Sequence, residues 1–390
     1  MASNGICDRV AIVGMGCTDF GELWGQSASD LLIDATTQAF SSAGVEKEQV
    51  DAYWLGTARG YSGRALSEPL KIQYKPVTRV ENMCATGSEA IRNAAYAVAS
   101  GAYDLVAAVG VEKIKDYGFA GLAGILPPSD GTASTMSPPA TFALLVPAYA
   151  QKFGVDEAKM KEVISRIAWK NHCNGAKNPK AQYRSEVSME KIMNSPRVAG
   201  EFGIFDCSGV SDGAAAAILC RAEDAHRYTD SPIFIKALAF SAGPGEGYAS
   251  QDYDFTTFPE VVASAKDAYK QAGIVDPREE ISMAEVHDCF TVTELVLMED
   301  MGFSPRGQGW KDVLDGRFDL DGAQPINTDG GLKSFGHPIG ASGLRMMYEM
   351  WLQLRGEAGE RQIKAPGMGL THNLGGAPGS CVSFISIIGT

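Results

Sequence analysis

Residues 340–344, Gly-Ala-Ser-Gly-Leu, stand inside INTDGGLKSFGHPIGASGLRMMYEM (326–350), and residues 84–88, Cys-Ala-Thr-Gly-Ser, inside ENMCATGSEAIRNAAYAV (81–98). Both are short runs of small residues that lead into a helical pattern. Working outward, their surroundings repeat as well. RVAIVGM (9–15) reads as a buried strand. SASDLLIDATTQAFSSAGV (27–45) follows with apolar spacing of three and four and a closing Gly, and VDAYWLGTA (50–58) reads as a second strand. PIFIKALAFS (232–241), VVASAKDAYKQAGI (261–274) and ISMAEVHDCF (281–290) have the same order. The chain is read as a duplication with a period of about 230 residues, too long for a solenoid. Its halves are 1–231 and 232–390. Alternating strands and helices predict an α/β fold of parallel sheets flanked by helices. Packing about a pseudo-twofold axis would let the two helix starts converge. About 115–205 breaks the repeat with LPPSDGTASTMSPPA and KNHCNGAKNPKAQYRSE, which read as an inserted loop-rich domain.

The 390 residues are 45% hydrophobic and 21% charged. No apolar run approaches the roughly 18 residues of a spanning helix, and MASNGICDRVAIVG lacks the parts of a signal peptide, so a cytoplasmic protein without a membrane segment is expected. The net charge of −13 disfavours nucleic acid, whose phosphates are held by Lys and Arg. Eight cysteines at 7, 17, 84, 173, 207, 220, 289 and 381 show no paired spacing, which argues against a disulfide framework and a structural metal.

Four stretches carry candidate chemistry. Cys84 at the first turn of a helix would feel the positive end of the helix dipole, which favours thiolate, although its position alone also suits a packed cysteine. His337 stands in a Gly-rich loop with no apolar stripe to join, where it can activate a nucleophile or polarise a carbonyl. AEVHDCFTVTELVLMEDMGF (284–303) puts His287, Asp288 and Cys289 at the carboxyl end of a strand, where active-site residues of α/β folds gather. Asp288 is assigned to capping the helix that follows. In LTHNLGGAPGSCVSF (370–384), His372 and Asn373 precede Gly375 and Gly376, a loop that can aim backbone N–H groups at an oxyanion.

In this order, the Cys84 loop, the G-H-P-I-G-A-S-G loop (336–343), the H-D-C-F and H-N-L-G-G forms and DCSGVSDGAAAAILC (206–220) resemble the thiolase superfamily. The H-D-C-F and H-N-L-G-G forms in particular resemble its sterol-carrier-protein-type and archaeal-like members. The resemblance implies the thiolase fold: two similar βαβαβαββ halves in α-β-α-β-α layers, with an inserted loop domain. It implies a CoA-dependent acyltransferase that cleaves or forms the carbon–carbon bond of a 3-ketoacyl-CoA. The residues it implies are Cys84 as acyl-carrying nucleophile, His337 and His287 as its histidines, and Cys289 as acid and base. The oxyanions would be met by backbone N–H of Cys84 and Gly375 and by His287 and His337. Where other thiolases have N-E-A-F this chain has His287-Asp288-Cys289-Phe290, and where they have a second catalytic cysteine it has Asn373-Leu374-Gly375.

No cofactor is implied beyond CoA as co-substrate. Lys170, Lys177, Lys180 and Arg184, a basic run without an acid, are the candidates to hold it. A homodimer core and a small zinc-ribbon/OB-fold partner are further expectations of the resemblance. The acyl group stays open between acetoacetyl-CoA and bulkier thioesters such as benzoylsuccinyl-CoA, with DYGFAGLAGILPPSDGTASTMSPPATFALL (116–145) as the candidate acyl pocket. A thiolase-fold C–C lyase is the alternative reaction, and the retained Cys84, His-Asp-Cys and Gly-His-Pro set argues against it.

Overall fold

The computed structural model describes residues 5–60, 62–116, 137–247 and 250–390. Runs of Val, Ile and Ala become fully buried strands, since a strand covered on both faces needs no polar alternation. The strands are β1 (Val10–Cys17), β2 (Ala52–Gly56), β3 (Val77–Val80), β4 (Leu105–Lys113), β5 (Arg197–Ala199), β6 (Phe202–Gly203), β7 (Asp212–Arg221), β8 (Ile233–Ala242), β9 (Met283–Glu285), β10 (Met368–Ala377) and β11 (Ser380–Gly389). Nine of them form one sheet in the order β3-β2-β4-β7-β1-β8-β11-β10-β9, and β5 pairs with β6 in a separate ribbon.

The duplication is explicit in this order. Strands β2-β4-β7-β1 and β9-β10-β11-β8 are the same arrangement, each with one parallel pair followed by two antiparallel pairs. The two runs meet where Ala11 and Ile12 of β1 pair with Phe234 and Ile233 of β8. In the first run β3 lies parallel to β2, and in the second a single bridge from Ala284 to Ile326 takes that place. In place of the expected parallel sheets there is therefore one continuous mixed sheet. Only Pro378 and Gly379 separate β10 from β11, and a parallel crossover needs a dozen residues or more.

The helices Ala28–Ala43 and Pro259–Ala272 cover the outer faces, the first against β1, β4 and β7 and the second against β8 and β11. Between the two runs lie the helices Thr86–Ala99 and Ser342–Arg355, which pack on each other. Their apolar residues, among them Ile91, Val98, Met347 and Met350, share one core with Ile12, Ile233 and Ile235. Their N-termini touch because both are glycine there. A Cβ on Gly87 would stand 2.8 Å from the Gly340 oxygen, and one on Gly343 would stand 2.1 Å from Ser88 Oγ and 2.4 Å from Ser88 N. Gly343→Ala is expected to cost about 1–3 kcal/mol by overpacking. Urea melts measure this, and wild-type stability in the variant would mean that the two helix starts part freely.

The insertion is not loop-rich where it is described. Residues 137–205 hold four helices, including the 20-residue Glu157–Ala176, whose start is capped by Asp156 accepting from Lys159 N–H. This helix runs through Asn171-His172-Cys173-Asn174-Gly175, a stretch whose polarity suggests a loop. Its polar side chains turn inward instead: Asn171 Nδ2 donates to Asp288 (2.7 Å) and Glu294 (2.9 Å), and Asn174 Nδ2 to the Asn327 carbonyl (2.9 Å).

Candidate active site

The residue before the nucleophile candidate adopts a conformation side chains rarely take: Met83 has φ +51°. The turn is pinned around it. Asn82 N–H donates to Thr86 Oγ1 (2.9 Å), whose hydroxyl donates to the Met83 carbonyl (2.5 Å), and Met83 N–H donates to Glu81 (2.6 Å). Cys84 thereby lies half-buried just ahead of the helix Thr86–Ala99.

His337 arrives from the second half. Gly336 precedes it at φ +120°, and His337 N–H donates to Ser211 Oγ (3.0 Å), so DCSGVSDGAAAAILC helps to position this loop. The same stretch places Asp212 in a buried ion pair with Lys113 (2.6 Å), while Asp206 accepts from Thr291 Oγ1 (2.9 Å) at the start of the helix after Cys289. His337 Nδ1 lies 2.8 Å from Ser342 Oγ. His287 follows β9, and its Nδ1 lies 3.1 Å from Asn373 Nδ2. The imidazoles of His287 and His337 meet edge to face with centroids 5.2 Å apart. One ligating atom each of Cys84, His287 and His337 lies within 4.8 Å of the others.

Burial pushes the Cys84 thiol up to about 12, with Glu81 and Glu112 adding to it. It also pushes His337 down to about 3, with Arg345 adding. At neutral pH the pair therefore rests as thiol and neutral imidazole, and the expected preformed thiolate is corrected: proton transfer must accompany attack. Alkylation of Cys84 by iodoacetamide in the free protein should rise about tenfold per pH unit between pH 6 and 9, following the thiolate fraction. Peptide mass spectrometry separates it from exposed Cys7, and a plateau near neutral pH would show that the thiolate is preformed.

Cys289 lies buried beside this group, its sulfur 3.9 Å from Thr293 Oγ1. Its thiol is held above the usual range by burial first and then by Cys84, so it too rests neutral. His287 is held well below the usual histidine range by burial, then by His337, His372 and Arg345. Asp288 does not cap the helix that follows it. That helix, Thr291–Asp300, begins at Phe290 with no side-chain cap. The Asp288 carboxylate instead accepts from Leu332 N–H (2.6 Å) and Lys333 N–H (3.1 Å), which ties the His-Asp-Cys loop to the segment leading to His337.

Among the candidates for CoA, Lys170 is excluded. It is buried, with its ammonium on Glu294 and on the Ile326 carbonyl (2.8 Å), since it faces inward from its helix. Lys177, Lys180 and Arg184 line an open cleft of about 560 Å³ with Tyr348 and Arg361, and Lys180 also donates to the Cys17 carbonyl (2.5 Å). Gly375 lies on strand β10 rather than in a loop; a Cβ there would stand 2.6 Å from the Asn82 oxygen and 3.2 Å from Met83 Cβ, so it adjoins the Cys84 turn. Most of the candidate acyl-pocket stretch, 117–136, lies outside the described residues.

Two side chains at this site, Ser88 and Ser342, were not singled out from the sequence, and Asn373 was singled out without its partners. Ser88 Oγ donates to Asn373 Oδ1 (2.9 Å), and Ser342 Oγ donates to the Pro338 carbonyl (3.0 Å) while contacting His337. The available signals were the nearness of Ser88 to Cys84, four residues on in the first turn of the helix, and the place of Asn373 next to His372 in the H-N-L-G-G stretch.

Residues 10–223 match the family described as "Thiolase, N-terminal domain", and residues 245–387 match "Thiolase C-terminal domain-like". A protein of Methanothermobacter thermautotrophicus named acetyl-CoA acetyltransferase is 38% identical over 96% of this chain and 98% of its own. Human sterol carrier protein 2 is 32% identical over 94% of this chain and 70% of its own. A solved structure titled "Ltp2-ChsH2(DUF35) aldolase" superposes with a TM-score of 0.84 at 25% identity, covering 99% of this chain and 98% of that one. The Acat5 thiolase of Ascaris suum in complex with coenzyme A superposes at 0.70 with 18% identity, over 98% and 100%, a likeness of fold. With both domain families matched across most of its length, the chain belongs to the thiolase family.

Proposed function

We propose that this protein is a CoA-dependent thiolase that cleaves or forms the carbon–carbon bond of a 3-ketoacyl-CoA through an acyl-Cys84 intermediate. The observation that carries this reading is the convergence of Cys84, His287 and His337 within 4.8 Å, contributed by both halves, 1–231 and 232–390, with Cys289 alongside. In thiolysis the Cys84 sulfur attacks the 3-keto carbon and its proton passes to His337 Nε2. The tetrahedral oxyanion is met by N–H donors, for which Cys84 N and Gly375 N are the candidates, and the thioester oxygen of the departing enolate is met by His287 and His337. Collapse breaks the carbon–carbon bond and leaves the acyl group on Cys84. The departing thioester enolate takes the Cys289 proton. Free CoA then gives its thiol proton to Cys289 and attacks the acyl group, and Cys84 recovers its proton from His337. Run backwards, the same transfers condense two acyl groups.

Lys177, Lys180 and Arg184 are the cations we assign to the phosphates of CoA. The likeness to relatives named acetyl-CoA acetyltransferase supports acetoacetyl-CoA as the substrate of this chain. A bulkier acyl group such as that of benzoylsuccinyl-CoA is the second reading. The aromatic cluster of Phe142, Phe202 and Phe290, whose last member adjoins Cys289, supports it. Rates on acetoacetyl-CoA and benzoylsuccinyl-CoA decide between them. The aldolase neighbour, titled with a DUF35 component, supports a small zinc-ribbon/OB-fold partner for this chain. The β3 edge strand supports a homodimer through an added strand pair. Incubation with a labelled 3-ketoacyl-CoA should leave the acyl mass on the Cys84 peptide. A lyase would leave none, and turnover without the adduct would overturn the thiolase reading.

A further inference from the structure

Two histidines of similar burial face each other at the site, and their hydrogen bonds give them opposite tautomers. The Ser342 hydroxyl has one hydrogen, and it goes to the Pro338 carbonyl at 3.0 Å. Ser342 Oγ must then accept from His337 Nδ1 at 2.8 Å, which leaves His337 Nε2 as a bare lone pair. That atom has no hydrogen-bond partner among the described residues.

His287 is governed from the other side. Asn373 is fully buried, with its oxygen on Ser88 Oγ (2.9 Å) and its NH2 on His287 Nδ1 (3.1 Å). The orientation of this amide follows from its surroundings. Oδ1 lies 2.5 Å from where a Cβ of Gly343 would be, at the start of the helix Ser342–Arg355, and its donor Ser88 is in the first turn of the helix Thr86–Ala99. Two helix N-termini, both with positive ends, favour the oxygen there over the NH2. His287 Nδ1 therefore accepts, and the ring carries its proton on Nε2.

We propose that Ser88 and Asn373 are positioning residues that hold His287 as the Nε2–H tautomer, making it a hydrogen-bond donor to the developing oxyanion and leaving His337 as the base. The relay joins the halves, because Ser88 comes from the first and Asn373 from the second, 285 positions apart. This rests on the thiolase reading for its consequence in turnover, but the tautomer itself can be observed without turnover. The ionisable groups that face His287 are His337, His372 and Arg345, together with Cys84, which lies within 4.8 Å.

The experiment combines nitrogen NMR of ¹⁵N-histidine-labelled full-length protein, with His287→Gln to assign the ring, and kinetics of Asn373→Asp. In the wild type, His287 should show a protonated Nε2 and an unprotonated Nδ1, and His337 the reverse. In Asn373→Asp the carboxylate accepts from Nδ1–H and turns the tautomer over. Its kcat should fall about 10²-fold, the scale of losing one oxyanion donor, with KM changed less than about threefold and Cys84 alkylation unchanged. Its activity should recover as pH falls and the new carboxyl becomes protonated and able to donate, a pH dependence the wild type lacks. Ser88→Ala should lose about tenfold by freeing the amide to flip. A wild-type His287 protonated at Nδ1 would overturn the proposal whatever the reaction is, as would an Asn373→Asp protein with wild-type kcat and pH profile. Failure to acylate Cys84 in the wild type would instead count against the thiolase reading.

Discussion

Cys84→Ala is expected to abolish turnover, with kcat down by at least about 10⁴-fold, since nucleophile and base act as a unit and losing either removes nearly all their joint effect. The loss should be one of chemistry and not of folding. Cys84 is half-buried and precedes the helix it serves, so a methyl in place of the CH2–SH leaves the turn held by Thr86 and Glu81 in place. Urea melts of the variant should match the wild type to within about 1 kcal/mol. Acyl transfer from a labelled thioester should appear on the wild-type peptide and vanish in the variant. Unchanged activity in Cys84→Ala would end the mechanism. His337→Ala should still bind acyl-CoA but acylate far more slowly, because the neutral thiol would have no acceptor for its proton.

The largest effect on stability is expected at Arg345. Its guanidinium is fully buried, with Nη1 at 2.6 Å from both Glu285 and Asp329, and it lies over the Phe335 ring with its centroid at 5.2 Å. Arg345→Met removes the cation and leaves two carboxylates in the core, which should cost roughly 3–5 kcal/mol at pH 7. Glu285 is already held above the usual carboxylate range by burial and then by Asp329. Without Arg345, Glu285 should be raised further in the folded state. A group raised in this way contributes stability below its unfolded pKa and loses it as pH rises through the folded one. The deficit of Arg345→Met should therefore narrow as pH falls from 7 toward 5. The triple variant Glu285→Gln, Asp329→Asn, Arg345→Met should recover a large part of it at pH 7, because removing all the charge removes the uncompensated burial. A single variant as stable as the wild type at pH 7 would mean that water or another group compensates these acids. Activity should fall too, since Arg345 stands three residues after Ser342 on the helix that follows the His337 loop, and Glu285 two before His287.

The sequence alone determined the duplicated α/β plan, the loops that carry Cys84, His287, Cys289 and His337, and the membership that follows from their order. These features are local. Strand and helix periods are set by residues a few positions apart, and a histidine or cysteine among glycines stands out without any knowledge of its neighbours. Only the tertiary structure decided how those residues are charged and what surrounds them, because each answer depends on partners distant in the chain. Lys170 looked like a ligand cation until Glu294, 124 positions away, was seen to hold it. Asp288 looked like the cap of its own helix until its acceptors were found to serve Leu332 and Lys333. The Asn- and His-containing run after Trp169 looked like a loop because its polar groups face a buried polar seam rather than water. The direction of β11 followed from a two-residue connection, not from its composition. The helix start before which Cys84 stands suggested a ready thiolate, yet burial holds it as a thiol, since the cost of leaving water depends on everything packed around the sulfur. The tautomers of His287 and His337 are the clearest case. Nothing within a few residues of either ring sets both, and a serine and an asparagine from opposite halves of the molecule decide which nitrogen of His287 carries the proton.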